Sequence, residues 1–220
     1  MLSILQSIHP KYCELIASGK KTIEVRKTKP RIPTPFKVYI YQTRHKWVYN
    51  IFTRFLLPQG KVIGEYVCNE IEELLYDALY ITYYSRKATF PQSVNDEFLK
   101  GTCVSYEEAM QYCKNMKFGD IENNIKGGSF WGYHISNLKI YDKPKELSEF
   151  SVIDKEFLKE CPYRERVYNN PDYTNGALLK GSYICNNSFE PDFCRGQCAD
   201  AIKPLTRAPQ SWCYVETQYQ

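Results

Sequence analysis

No stretch of this chain approaches the run of about 18 apolar residues that crosses a bilayer as a helix, and the N-terminus lacks a charged region followed by a long apolar one. The first absence excludes a membrane helix and the second removes any sign of export, so the expectation is a cytoplasmic protein with no membrane partner. No P-loop, G-x-S-x-G or H-E-x-x-H occurs, which takes away the usual support for P-loop nucleotide hydrolysis and for two common hydrolase mechanisms. Internal repeats and low-complexity tracts are missing as well. Negative charge is scarce at one end: residues 1–61 carry only Glu14 and Glu24 against twelve Lys or Arg, a balance of +10, leaving −6 for the rest of a chain whose net charge is +4.

What is present is enough for a full core. A chain of 220 residues, 43% hydrophobic and 15% aromatic, sits at the upper end of a single domain and reads as one domain with an insertion. The N-terminal positive charge is interleaved with Tyr39, Tyr41, Trp47, Tyr49, Phe52 and Phe55. Cations beside aromatic rings suit phosphate contacts plus base stacking. The bland alternative is a soluble basic surface with no partner.

One octet organises the reading: Gly19-Lys20-Lys21-Thr22-Ile23-Glu24-Val25-Arg26. Gly19 closes an amphipathic run over residues 10–18, as a glycine with positive φ does just past a helix end. A strand over 21–27 follows. With period two, Ile23 and Val25 face one side, while Thr22, Glu24 and Arg26 share the other with Lys20, so a carboxylate and two cations project together. Such a group can hold a polar ligand. It also fits a half-exposed strand with its charges in water.

Gly19, Lys21, Glu24 and Arg26 fit the spacing G-x-K-x-x-E-x-R, after a helix opened by Ile8-His9-Pro10. In this the chain resembles the ASCH family, whose domains have a PUA-like β-barrel and are similar to RNA-binding modules. Further matches follow in order: Val38-Tyr39-Ile40-Tyr41-Gln42-Thr43, Gly60-Lys61-Val62-Ile63-Gly64-Glu65, and His134-Ile135-Ser136 running into Asp142-Lys143-Pro144. The last, Ala208-Pro209-Gln210-Ser211-Trp212-Cys213-Tyr214-Val215-Glu216, resembles the closing strand of a bacterial and phage-like subgroup. The resemblance covers most of residues 1–143 and 204–217. It implies a mainly β, α+β fold, a PUA-like barrel with flanking helices; residues 144–203, with four prolines, two Asn pairs and four cysteines, read as an irregular Cys-containing insertion before the last barrel strand. A family defined by fold limits function without naming it.

Along the chain, residues 1–9 supply a first strand, and 36–43 a strand beyond a loop holding Pro30, Pro33 and Pro35. Lys27, Lys29 and Arg31 lie on that loop, at the rim of whatever the octet faces. Residues 44–60 form a basic, aromatic excursion before a strand over 61–69. The acidic, tyrosine-rich stretch beyond it predicts a helix over 71–84, with its tyrosines as packing residues. Ser105-Tyr106-Glu107-Glu108 has capping-box spacing and opens a helix over 106–116. A long strand covers 130–141, within which His134 reads as structural, near the cleft only by resemblance. A final strand carries Trp212, Tyr214 and Glu216.

Nine cysteines are an odd number, and without a sign of export a disulfide framework is not expected. Cys13, Cys68, Cys103, Cys113 and Cys213 fall in helical or strand patterns and read as small apolar residues. Cys161, Cys185, Cys194 and Cys198 all lie in the insertion, where a Cys₄ structural zinc would supply order; reduced free thiols are the alternative. No other cofactor is required.

The resemblance extends in outline to a small amidohydrolase that deacetylates a modified cytidine, in which a lysine activates a threonine three residues on. Lys21 holds the lysine position here, but Glu24 stands where the threonine would be. Lys21 and Glu24 are therefore the candidate catalytic residues. The ligand-binding set is Lys20, Lys21, Glu24, Arg26, Tyr41, Thr43 and Arg44, and the expected partner is RNA or a nucleoside or nucleotide. A hydrolase acting on an acetylcytidine-like nucleoside or on RNA competes with a binding module, and a regulatory adaptor is a third reading.

Overall fold

The computed structural model describes residues 3–44, 59–76, 81–84, 92–93, 96–105, 108, 128–166, 183–185, 192–193 and 201–217. The chain forms two compact units, Met1–Leu147 with Arg207–Cys213, and Ser148–Thr206 with Tyr214–Gln220. Both are mainly β.

The first unit starts with β1 (Ser3–Ile8), buried along its whole length. Pro10 then opens α1 (Pro10–Ala17), where its missing N–H costs nothing, and His9 caps the helix by accepting the Lys11 N–H on Nδ1 at 3.2 Å. Gly19 ends it with φ +72°, as its position after the amphipathic run predicts. The chain passes through β2 (Ile23–Arg26) and the proline-bearing loop into β3 (Phe36–Gln42), which pairs parallel to β1 with Leu5 opposite Tyr39 and Ser7 opposite Tyr41.

The two longest strands, β4 (Lys61–Tyr76) and β7 (Gly128–Lys145), pair antiparallel, with register shifts near Gly64, Glu65 and Cys68. Gly64 permits the closest approach: a Cβ there would lie 2.5 Å from the Lys139 carbonyl oxygen. β4 also pairs β3, while β7 pairs β2. Among the described residues of 71–84 the expected helix is absent. Residues 71–76 continue β4, and β5 (Ile81–Tyr84) pairs back on Glu73–Tyr76, followed by the short β6 (Gln92–Ser93). The physical reason is a ladder on both edges: Glu73 faces Trp131 of β7 on one side and Tyr84 of β5 on the other. Tertiary pairing outweighs the local helical pattern.

A second helix, α2 (Asp96–Thr102), follows. Beyond it the capping box is formed, with the Ser105 N–H donating to Glu108 Oε2 at 2.9 Å and the Glu108 N–H to Ser105 Oγ at 3.1 Å. The body of that helix lies outside the described residues, as does most of the excursion at 44–60.

Among the described residues no main-chain ladder joins β2 to β1, so the sheet of this unit is not closed into a barrel by backbone pairing. Side chains cross that interval instead. Arg26 Nη2 donates to the Ser7 carbonyl at 2.8 Å. The returning segment lies against the same strand: Ser7 N–H donates to the Ser211 carbonyl at 2.9 Å, and Ser7 Oγ to that of Pro209 at 2.6 Å.

The second unit holds β8 (Phe150–Ile153), α3 (Lys155–Glu160) and β12 (Ile202–Pro204), with β8 pairing β12 and the end of β13 (Trp212–Thr217). β9 (Arg164–Arg166), β10 (Tyr183–Cys185) and β11 (Asp192–Phe193) form a three-stranded antiparallel sheet. Phe150, Leu158, Ala201, Leu205 and Val215 are buried in this unit. Asp154 caps α3 and pairs with Lys203 at 2.9 Å, which together hold its carboxyl below the ordinary range.

Candidate functional site

The octet's charges meet in the interior of the first unit. Glu24 is 5% exposed and Lys21 2%. Glu24 Oε1 lies 3.1 Å from Arg26 Nη2, and Glu24 Oε2 lies 3.4 Å from Lys21 Nζ. At that longer distance Lys21 balances the charge on Oε2 without aiming a hydrogen bond at it. Its ammonium instead donates to the Thr102 carbonyl at the end of α2 and sits 5.0 Å from the Tyr12 ring centroid. One carboxylate is thus clamped between the buried Lys21 and the half-buried Arg26.

Local geometry explains which cation takes part. β2 begins at Ile23, so strand parity does not reach back through residues 20–22. Lys21 bonds its N–H to the Leu15 carbonyl and turns inward, whereas Lys20 stays exposed. The expected grouping of Lys20 with Glu24 is therefore replaced by Lys21 with Glu24, while Arg26 keeps its predicted place.

Two residues not anticipated from the sequence border the cluster. Tyr66 of β4 is fully buried and donates to Gln6 Oε1 at 2.9 Å, and Gln6 of β1 is 0% exposed. The signal available was a glutamine among Ile4, Leu5 and Ile8 of a short strand. Burial, with Glu24 among the neighbouring charges, pushes the Tyr66 hydroxyl well above its ordinary pKa. Burial likewise lowers the Lys21 amine, against the opposing pull of Glu24.

Three buried polar atoms here have no hydrogen-bond partner among the described residues: Gln6 Nε2, Arg26 Nε and Glu24 Oε2. Folded interiors satisfy nearly all such groups, and each one left over costs about 1–3 kcal/mol. Two are donors and one is an acceptor. Between them they lack two acceptors and one donor.

The other expected site residues are placed as follows. Tyr41 is buried in β3. Thr43 is occupied with main chain, its N–H and Oγ1 both donating to the Ile8 carbonyl, at 2.9 and 3.3 Å. Arg44 is exposed and lies over Gly60, whose φ of +76° and missing side chain leave the space. None of these, nor Lys20, makes a hydrogen bond or ion pair with the cluster. His134 Nε2 is 2.9 Å from Glu72 Oε2, in keeping with a structural role. Cys13 and Cys68 are buried, whereas Cys103 and Cys213 are half-exposed. Of the four insertion cysteines, Cys161 is a half-buried free thiol and Cys185 is described only as backbone in β10, while Cys194 and Cys198 lie outside the described residues. Among the described residues no group of His, Cys, Asp or Glu is arranged to hold a metal, and no helix is long and apolar enough to cross a membrane.

The family model for the ASCH domain matches residues 7–138, more than half of the chain and the whole of the octet. The chain belongs to the ASCH domain family. Among solved structures, the ASCH protein of Zymomonas mobilis is similar at 19% identity and a TM-score of 0.41, over 66% of this chain and 73% of that one. Two point mutants of that protein match at 18% identity with the same TM-score, over 66% of this chain and 76% and 74% of theirs. No curated protein matches the chain.

Proposed function

We propose that this ASCH protein is a PUA-like barrel module that binds RNA, or a modified nucleoside or nucleotide, in a cleft with Lys21 and Glu24 at its floor and Arg26 beside them. The observation that carries the reading is the set of buried atoms without a hydrogen bond on Gln6, Glu24 and Arg26, around a carboxylate held between two cations. A nucleobase edge offers both acceptors and an exocyclic amine, and such an edge suits two donors beside a carboxylate. The barrel is supported by the side-chain bridge from Arg26 to β1. Exposed Lys20 and Arg44 suit phosphate, whereas Tyr41 and Thr43 are already committed within the fold.

Binding of a labelled single-stranded oligoribonucleotide, followed by anisotropy across a salt series, tests this. Affinity should fall steeply with salt and drop in Arg26→Met, with Arg26→Lys intermediate; equal affinity in all three proteins overturns the reading.

A second reading, a hydrolase on the same cleft, is favoured by one observation: burial lowers the Lys21 pKa and so leaves more of the amine in its neutral, proton-accepting form at a given pH. Turnover of acetylcytidine or cleavage of RNA that is lost in Lys21→Met while the fold survives would select it. In the same proposal residues 144–203 are an insertion within one domain, close to the observed unit Ser148–Thr206. Its four cysteines, Cys161, Cys185, Cys194 and Cys198, are proposed as a zinc set on the strength of their sequence clustering. Stoichiometric zinc in the purified protein supports that assignment, and a folded metal-free protein refutes it.

A further inference from the structure

Beside the octet lies a surface that the proposed cleft does not use. In the β2–β7 ladder Glu24 faces Tyr133 and Arg26 faces Trp131. Successive odd-numbered residues of a strand share a face, so Trp131 stands one pair further along the face that carries Tyr133. Tyr133 is fully buried, while Trp131 is half-exposed. That face thus runs from the buried cluster outward past Arg26 to an indole at its edge.

The loop after β2 folds over this edge. Lys29 places its ammonium 3.9 Å from the Trp131 ring centroid. Thr28 is held from two sides: its carbonyl accepts the Tyr133 hydroxyl at 2.7 Å, and its Oγ1 accepts the Trp212 Nε1–H at 3.0 Å. Lys27, Lys29 and Arg31 are all exposed. The loop is anchored at Thr28, yet it presents three cations and lies against two indoles.

We infer that this rim, made of Trp131, Trp212 and the 27–31 loop, is a docking surface for a single-stranded polynucleotide whose end nucleotide enters the cleft. The inference rests on the reading of the cleft and deepens it by naming a strand, rather than a free nucleoside, as the ligand. Lys29 now occupies the ring face by a cation–π contact, which at an exposed site is weaker than a base stacked on an indole. An arriving base displaces the ammonium from the ring. The displaced ammonium then meets the adjoining phosphate, so one exchange supplies both the stacking and the charge contact. An acidic peptide would gain the charge contact alone, which is why a polynucleotide is the better occupant.

The test uses the full chain and three labelled probes: oligouridylate, oligothymidylate and oligoglutamate. Trp131→Ala should weaken oligouridylate binding roughly 5- to 150-fold, as loss of one base stack does, whereas Trp131→Phe keeps a ring and most of the affinity. Lys29→Ala should reduce the salt slope by roughly 0.7, the share of one phosphate contact on a single strand. Binding of oligothymidylate with the same Trp131 dependence names the strand as either RNA or DNA and supports the surface. Oligoglutamate bound as tightly as oligouridylate overturns it, as does wild-type affinity in Trp131→Ala. Glu24→Gln, assayed under conditions where its tryptophan fluorescence reports a folded protein, separates the two proposals. If it loses oligouridylate while Trp131→Ala does not, the cleft stands and the rim fails; the opposite pattern keeps the rim and removes the cleft.

Discussion

Glu24 is the shared partner of a buried lysine and a half-buried arginine, and Glu24→Gln exposes what that arrangement is worth. The substitution keeps the shape and removes the charge. Lys21, with its side chain 2% exposed, and Arg26, at 13%, are then left together without a counter-ion. Removing one member of a buried ion pair costs about 3–5 kcal/mol, because the surviving charge stays desolvated. Lys21→Met and Arg26→Met should each cost less, since Glu24 keeps one cation in either case. Lys61→Met supplies the control: its pair with Glu146 is 35% and 57% exposed, and exposed pairs contribute about 0–1 kcal/mol. Urea unfolding followed by tryptophan fluorescence reads the series, and with a urea slope of about 2 kcal/mol/M the Glu24→Gln midpoint should fall by roughly 1.5–2.5 M. A Glu24→Gln loss no larger than that of Lys61→Met would refute the reasoning, because the carboxylate would then not be neutralising buried charge.

Gly64→Ala drives a Cβ to 2.5 Å from the Lys139 carbonyl oxygen, a backbone atom that cannot swing aside; overpacking of this kind costs about 1–3 kcal/mol, read as a drop in thermal midpoint. Ser105→Ala removes one half of the capping box and should cost about 0.5–2 kcal/mol by urea unfolding. Cys13 and Cys68 are 0% exposed, and burial pushes the Cys68 thiol up to about 12; both should resist a thiol reagent at pH 8 until the protein unfolds, while half-exposed Cys103, Cys161 and Cys213 react in the folded state. Burial lowers the Lys21 pKa, so between its folded value and 10.5 the unfolded chain binds more protons than the folded one. Stability of the wild type relative to Lys21→Met should therefore rise with pH through that window, and a flat difference would contradict it.

The sequence carried those features that depend on neighbouring residues. Gly19 at a helix end, Pro10 opening α1, and the reciprocal bonds of Ser105 and Glu108 all follow from local chemistry, and each appears where its pattern places it. The octet pointed to Glu24 and Arg26 through strand parity. Lys21 joined them only because β2 starts two residues later than the parity argument assumed, a boundary fixed by the bond from its N–H to Leu15. Residues 71–76 misled because their acidic, tyrosine-rich stretch suits a helix, while the ladder to β7 comes from a partner far along the chain. Gln6 and Tyr66 stayed hidden for the same reason: their contact links β1 and β4 across 60 positions, and no local pattern reports it.

The central claim is that the buried polar cluster is completed by a ligand, and Arg26 Nε–H reports on it directly, since that proton has no acceptor among the described residues. Its resonance, assigned by comparison with Arg26→Lys in a nitrogen-15 labelled protein, should move downfield when a short single-stranded oligoribonucleotide is added to saturation. An unchanged resonance with the oligonucleotide demonstrably bound would place the ligand elsewhere and leave the cluster a structural feature of the fold.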